Sequence, residues 1–157
     1  MRAALLAGWL LAAAALPAAA QQLTLQAADG REVVVTAAEL AAMPHQQLRA
    51  PGRDPAFYEG VPLGLLLARL GVPQGEALRG RALALAVVVR AADGYAAVLA
   101  LAEADAVTRD APVILADRRA DGPLAAEEAP FRLIVGGDRR PARSARQVVR
   151  IELRDLR

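Results

Sequence analysis

The stretch that decides the fold runs from residue 82 to residue 99 and reads ALALAVVVRAADGYAAVL. Its first part, Ala82 to Val89, is a continuous apolar run ending in three valines, which is typical of a strand buried on both faces. Asp93-Gly94 follows, and the apolar segment Tyr95 to Leu99 comes directly after it. An Asp-Gly pair between two β-rich segments favours a tight turn. We therefore predict two core strands joined as a hairpin.

Further strand signals lie on both sides of this hairpin. Leu23 to Ala27 and Glu32 to Thr36 flank another Asp-Gly pair and predict a β-hairpin at the start of the domain. Towards the C-terminus, the predicted strands are Val113 to Ala116, Phe131 to Val135 and Gln147 to Leu153. Strands thus dominate the chain.

Two short helices are predicted between the strands. Thr36 and Glu39 form an S/T-x-x-E capping box and start a helix of about two turns. The second helix runs from Leu63 to Leu70, with Gly71 suited to the position just beyond its end. The segment from His45 to Pro55 is predicted to be a loop. Few, short helices beside many strands indicate an α+β domain with a mostly antiparallel or mixed sheet.

Composition excludes several classes of protein. The chain has 157 residues, the length of one ordinary domain, and its 55% hydrophobic content excludes a disordered polar tail. It contains no cysteine, so disulfides, thiolate metal sites, iron–sulfur clusters and thiol nucleophiles are excluded together. The formal charge is only +2, and we predict no nucleic-acid partner.

The first twenty residues have the pattern of a secretory signal peptide. Arg2 precedes an apolar run to Leu16, and Pro17 and three alanines follow before Gln21. The run is short for a membrane span, which needs about 20 apolar residues. We therefore expect a mature domain of residues 21–157 that is periplasmic or secreted, with no stable membrane span after cleavage.

Few side chains offer catalytic chemistry. Ser144 and His45 are the only serine and the only histidine, and no G-x-S-x-G elbow surrounds the serine, which argues against a hydrolase. A lone histidine in a Gln-rich loop is usually solvated, so a metal site there is not predicted. Glu127 and Glu128 are adjacent and therefore diverge in direction, which favours a solvated turn over paired catalytic carboxylates.

The densest charge feature is the arginine-rich segment from Arg139 to Arg146. It has two interpretations, a solvated loop before the last strand or a cradle for an anion. In the second, Arg143 and Arg146 offer forked donors to a phosphate and Ser144 adds its hydroxyl. Tyr95, one of two tyrosines, taken alone is a core or edge aromatic.

Four segments of the chain, taken in sequence order, resemble segments of the sulfite oxidase-type molybdopterin-binding domain family. Tyr58 to Leu67 is similar to its aromatic-x-Gly-Val-Pro-Leu-x-x-Leu-Leu segment, and Asp93-Gly94-Tyr95 to its Asp-Gly-Tyr strand. Pro130 to Val135 and Ala142 to Val148 resemble the family's Pro-x-Arg strand and the Ala-Arg-x-x-Lys-Trp segment that precedes its last strand. The resemblance extends from about Leu40 to Leu153, which is most of residues 21–157.

This resemblance implies a mixed, mostly-β sandwich with few short helices. It also implies a molybdopterin cofactor whose molybdenum is bound by a cysteine thiolate and transfers an oxygen atom. By position, Tyr95 matches the family's active-site tyrosine, and Arg143 and Arg146 match basic residues lining the pterin and its phosphate. Together with Ser144 in the same segment, they are the predicted cofactor-binding residues; no catalytic residue and no metal ligand is assigned.

The chain departs from the family pattern at three places. The stretch from Met43 to Arg49 stands where the family has its cysteine, and no other soft sulfur ligand is available except methionine. Glu128-Ala129 replaces the family's His-Gly, and Gln147 replaces its tryptophan. Molybdenum is therefore not expected, although molybdopterin is implied by the resemblance.

The favoured hypothesis is a small exported, non-catalytic binding or sensing module. Its ligand, an anionic small molecule, would lie between Tyr95 and the loop that carries Arg143 and Arg146. One alternative is a genuine molybdopterin-dependent oxidoreductase with a non-cysteine metal ligand. Another is an accessory subunit of a membrane sensor, which would bind a protein partner and no small molecule.

Overall fold

The computed structural model describes residues 21–52 and 56–157, and the predicted signal peptide lies outside these residues. The strands are β1 (Gln22–Gln26), β2 (Glu32–Thr36), β3 (Gln46–Arg49), β4 (Phe57–Pro62), β5 (Leu85–Ala91), β6 (Ala96–Ala100), β7 (Val113–Arg119), β8 (Gly122–Pro123), β9 (Arg132–Val135) and β10 (Val148–Asp155). Two short α-helices are α1 (Ala37–Ala41) and α2 (Leu63–Ala68). Within the described ranges, four 3-10 turns cover Gly75–Ala77, Gly80–Ala84, Leu101–Ala104 and Pro141–Arg143.

The strands form two sheets. The first has the order β2-β1-β10-β5-β6, in which β1 and β10 are parallel and the other neighbours are antiparallel. The second has the order β3-β4-β7-β8, and β9 also pairs with β7. The sheet-rich arrangement with two short helices agrees with the predicted α+β class.

The main apolar core lies between the two sheets. Leu25 of β1 and Val87 of β5 belong to the same buried cluster as Leu115 of β7 and Leu133 of β9. Successive residues of a strand point to opposite faces, so Ile114 of β7 instead joins a smaller cluster on the far side of the second sheet. Strand β7 is therefore buried on both of its faces.

Several predicted elements are confirmed because their signals are local. Both Asp-Gly pairs connect antiparallel strands, and Gly30 and Gly94 each have φ +89°, a conformation that glycine adopts without strain. The Thr36 and Glu39 capping box is present, with each side chain bonded to the other residue's backbone N–H. Gly71 has φ +76° just beyond α2, as a helix-ending glycine requires.

Other predictions are wrong in their boundaries. The loop predicted from His45 onwards contains β3, an exposed, polar strand that is held by antiparallel pairing with β4. The strand predicted to start at Ala82 starts at Leu85, because the preceding residues Gly80–Ala84 form a 3-10 turn. No helix among the described residues is long and apolar enough to cross a membrane.

Candidate functional site

Tyr95 lies immediately before β6, and the residue is about half exposed at 48%. The tight turn before it is held by Asp93, whose Oδ1 accepts a hydrogen bond of 2.9 Å from the Tyr95 backbone N–H. The Tyr95 hydroxyl donates to the carbonyl oxygen of Ala142. The hairpin turn is thereby joined to the arginine-rich loop that precedes β10.

Backbone hydrogen bonds around Gln147 bring three segments together. The Gln147 N–H donates to the carbonyl of Glu128 at 3.0 Å, and the Ala92 N–H donates to the carbonyl of Gln147 at 2.9 Å. The Val148 N–H donates to the carbonyl of Phe131 at 2.8 Å. Gln147 has φ +50°, a costly conformation for a residue with a side chain, and these bonds offset that cost. The β5–β6 turn, the start of β9 and the arginine-rich loop consequently meet at one place.

A cavity of about 460 Å³ opens where these segments meet. Its walls include Asp93 and Tyr95 from the hairpin, Arg132 from β9, and Arg140, Ser144 and Arg146 from the loop. A volume of this size is within the range of small-molecule pockets. The structure therefore brings the predicted residues Tyr95, Ser144 and Arg146 to one concavity.

Arg132 is the buried cation of this cavity, with a side chain only 8% exposed. Its Nη1 donates to the Tyr58 hydroxyl and to Glu128 Oε1. Its Nε is buried without a hydrogen-bond partner among the described residues, and no described residue accepts from its Nη2. Nε and Nη2 form one forked edge of a guanidinium, the geometry that binds a carboxylate or phosphate through two parallel hydrogen bonds.

Arg140 and Arg146 add positive charge to the rim of the same cavity. Both are exposed, and neither makes an ion pair with a carboxylate in residues 21–52 or 56–157. Asp93 is the one acidic residue among the described lining residues. Arg132 is paired with Glu128, and Arg140 and Arg146 against Asp93 leave the cavity with a net positive charge, which suits an anion.

Arg143 is not brought to the cavity. Its Nε and Nη2 donate to Asp138 at 3.0 and 2.7 Å, and its Nη1 donates to Glu103 at 2.9 Å. Asp138 and Glu103 raise the pKa of the Arg143 guanidinium above its ordinary value. Three of its five N–H donors are bonded to carboxylates, so Arg143 anchors the loop that carries Arg146 and does not line the cavity.

The Ser144 hydroxyl is also engaged within the protein. Ser144 is 6% exposed, and its Oγ accepts a hydrogen bond of 3.2 Å from the backbone N–H of Val135. The hydroxyl hydrogen remains able to donate towards the cavity, which Ser144 lines. Ser144 thus ties the loop to β9 and places one polar donor in the cavity wall.

The burial of Glu128 contradicts the expectation that Glu127 and Glu128 lie in a solvated turn. Glu127 is exposed, but Glu128 is only 2% exposed and accepts hydrogen bonds of 2.8 Å from Tyr58 and of 3.0 and 3.1 Å from Arg119. Burial raises the pKa of Glu128, but the bonds from Arg119 and Tyr58 and the charge of Arg132 outweigh it and lower that pKa to about 2. An arginine inside the apolar run from Phe131 to Val135 was the sequence signal that a buried counter-charge was needed.

His45 was likewise expected to be solvated, and that expectation is wrong. Its side chain is 11% exposed, with Nε2 3.1 Å from Asp117 Oδ2 and Nδ1 2.7 Å from the Met43 carbonyl oxygen. Asp117 belongs to β7, so these contacts hold the imidazole against the second sheet, immediately before β3.

The donor atoms of the chain do not fit molybdenum held by a thiolate. The sequence has no cysteine, and the described residues contain no cluster of three or more His, Cys, Asp or Glu side chains that could hold a metal ion. The pterin half of such a cofactor fits only in part, since Arg146 and Arg132 face the cavity while Arg143 is bonded to carboxylates.

The fold of this chain is similar to that of a solved structure. The chain is similar to the sulfane dehydrogenase SoxCD from Paracoccus pantotrophus, with a TM-score of 0.64 and 20% sequence identity. The likeness covers 91% of this chain and 40% of that chain, so this chain spans less than half of that protein's length. No protein-family model matches the sequence, and no curated protein matches it. At this identity the likeness shows the fold alone.

Proposed function

We propose that this domain is a non-catalytic binding module for a small molecule that carries an oxyanion. The ligand's carboxylate, sulfate or phosphate group bonds to the Nε and Nη2 edge of Arg132, and Arg140 and Arg146 supply further positive charge at the rim. The observation that carries the proposal is the buried Arg132 Nε, which has no partner among the described residues and belongs to a side chain that lines a cavity of about 460 Å³. A buried donor without a partner costs about 1–3 kcal/mol, which a bound oxyanion recovers.

The rest of the ligand lies over an apolar floor. The Tyr95 ring, Pro141, Ala142 and Ala145 contribute the carbon surface of the cavity. The anionic group therefore fixes the orientation of the ligand, and the apolar walls contact the uncharged remainder of the ligand and determine which shapes fit.

The sulfite oxidase-type resemblance supports the location of this site but not an oxygen-transfer reaction. Tyr95 and Arg146 are the positions that the resemblance assigns to the cofactor pocket, and both line the cavity. Because the chain has no thiolate, we propose that the cavity is used without molybdenum.

We further propose that the domain acts after export, in the periplasm or outside the cell. The proposal rests on the signal-peptide pattern of the first twenty residues. The intact mass of the exported protein tests it: a chain that begins within two residues of Gln21 supports export with cleavage, and a full-length chain in the membrane fraction contradicts it.

Calorimetric titration of phenyl phosphate tests the binding site. Wild-type protein should bind the compound, with an affinity that falls as salt screens the arginines. Arg140→Gln combined with Arg146→Gln should abolish binding. Arg79→Gln combined with Arg139→Gln is the matched control, because it removes the same charge from exposed residues outside the cavity wall and should bind as wild type does.

A further inference from the structure

Strand β6 is an exposed edge of the first sheet that carries no polar side chain. It reads AAVLA over Ala96–Ala100, and among the described residues it pairs only with β5. Ala97 and Leu99 belong to the main core, whereas Ala96, Val98 and Ala100 are exposed on the outer face of the sheet. An open, apolar edge strand is a template for pairing with another strand.

The backbone of β6 directs hydrogen-bonding groups away from β5. The Ala91 N–H donates to the Tyr95 carbonyl at 2.9 Å, so this opposing pair is hydrogen-bonded across the hairpin. Hydrogen-bonded and non-hydrogen-bonded pairs alternate along an antiparallel ladder. Because Val98 lies opposite Val88 in this ladder, the N–H and C=O groups of Ala96 and Val98 point to the open side of β6.

The other outermost strands in the described part of the chain are protected against such pairing. Glu32 lies in β2 and Arg49 in β3, and charged side chains hinder the addition of a further strand. Strand β8 contains Pro123, which has no N–H to donate. Strand β9 is covered by the arginine-rich loop, because the Leu133 N–H donates to the Ala145 carbonyl at 2.8 Å. Strand β6 has none of these features.

We propose that β6 is a dimerisation strand, which pairs antiparallel with β6 of a second copy of this chain about a two-fold axis at Val98. A second copy fits because both strands are uncharged: a partner strand with charged side chains would lose hydration against β6 and gain no counter-charge there. Such an interface uses the same surface of both copies, which is the commonest arrangement of protein dimers.

The register follows from the backbone groups of β6. Val98 lies opposite the partner's Val98 and exchanges two backbone hydrogen bonds with it, and Ala96 lies opposite the partner's Ala100. The Ala100 N–H is already bonded to Glu103 Oε2 at 2.9 Å, so the new ladder ends at that residue. The first sheets of the two copies thereby become one continuous sheet.

Sedimentation equilibrium of the purified protein tests the dimer. Wild type should approach twice the mass of one chain as its concentration rises to about 1 mM. Val98→Lys should remain monomeric, because the pairing would place two like charges against each other at the axis. Val34→Lys is the matched control and should dimerise as wild type does. Val34 is 48% exposed and Val98 is 56% exposed, and each lies on the outer face of an outermost strand of the same sheet.

Three results would overturn the proposal. The first is a wild type that stays monomeric at every concentration, and the second is a dimer that survives Val98→Lys or is lost in Val34→Lys. The third is an assembly larger than a dimer, because a two-fold axis closes the pairing. Circular dichroism should show that Val98→Lys keeps the wild-type fold, since its side chain is exposed.

Single cysteines test the register without a new charge, and they decide the question if Val98→Lys does not fold. The natural chain has no cysteine, so any disulfide reports the introduced residue. Opposing residues of a hydrogen-bonded antiparallel pair have Cα atoms about 5.5 Å apart, a distance that a disulfide bridges. Under mild oxidation Val98→Cys should form a covalent dimer, and Val34→Cys should remain mostly monomeric.

A mixture of two further variants fixes the direction of pairing. Ala96→Cys and Ala100→Cys, when mixed and oxidised, should form the mixed dimer in preference to either self-linked dimer, because the register places these residues opposite each other. Preference for the self-linked dimers, or equal cross-linking of Val98→Cys and Val34→Cys, overturns the proposal. These measurements need no ligand, so their outcome is separate from that of the proposed function.

Discussion

Acid should destabilise this domain in part through Glu128, and Glu128→Gln isolates that part. The pKa of Glu128 is lowered from 4.5 to about 2 in the folded protein. A group whose folded pKa is depressed contributes stability that is present above its unfolded pKa and is lost as the pH falls through the folded pKa. At neutral pH the shift corresponds to a free energy of unfolding of roughly 3 kcal/mol, and this contribution should disappear as the pH falls from about 4.5 towards 2.

Urea unfolding of wild type, Glu128→Gln and the control Glu127→Gln between pH 7 and pH 2.5 measures this contribution. Wild type should exceed Glu128→Gln by roughly 3 kcal/mol at pH 7, and most of this difference should be lost as the pH falls from about 4.5 to 2.5. Other carboxylates with lowered pKa values, such as Glu103 and Glu152, are present in all three proteins and cancel in the comparison. A difference that stays the same across the whole pH range would refute the assignment of a charged, doubly paired Glu128.

Three further outcomes are expected. Arg143→Gln should lower the free energy of unfolding by about 1–2 kcal/mol in thermal or urea melts, because it breaks the ion pairs with Asp138 and Glu103; an unchanged stability would contradict its anchoring role. Tyr95→Phe removes the bond to the Ala142 carbonyl and should weaken phenyl phosphate binding by less than about tenfold in calorimetry, while complete loss would mean that the hydroxyl itself contacts the ligand. Protein exported in a host that makes molybdenum cofactor should contain no stoichiometric molybdenum by elemental analysis, and one atom per chain would favour the oxidoreductase alternative.

Signals within a few residues of each other predicted their structures correctly. The Asp-Gly turns before Arg31 and Tyr95 and the capping box of Thr36 depend on backbone conformations that neighbouring residues determine. Strand β3 instead forms because it pairs with β4, which follows it after a loop. Its polar sequence from Gln46 to Arg49 lacks the alternation of apolar and polar residues that would predict a strand. Long-range pairing of this kind leaves no local pattern.

Three of the predicted site residues, Tyr95, Ser144 and Arg146, line one cavity, but the polar network around them was not predicted. The order of motifs indicated that Tyr95 and Arg146 belong together, and the structure places both at one cavity. Arg143 pairs with Glu103, which is 40 positions away in the sequence. Glu128 accepts a hydrogen bond from Tyr58, which is 70 positions away. Adjacent charges in a sequence do not show which one is buried, so these pairs required the three-dimensional arrangement.

The most direct test of the proposed function is the nuclear magnetic resonance signal of the Arg132 Nε–H group during titration with phenyl phosphate. This group is buried and has no hydrogen-bond partner among the described residues, so its signal, assigned by its loss in Arg132→Gln, reports the formation of a new hydrogen bond. The account predicts a progressive, saturable downfield shift of this signal that is absent in the Arg140→Gln and Arg146→Gln pair. A signal that stays in place at saturating phenyl phosphate would contradict the claim that Arg132 holds the oxyanion.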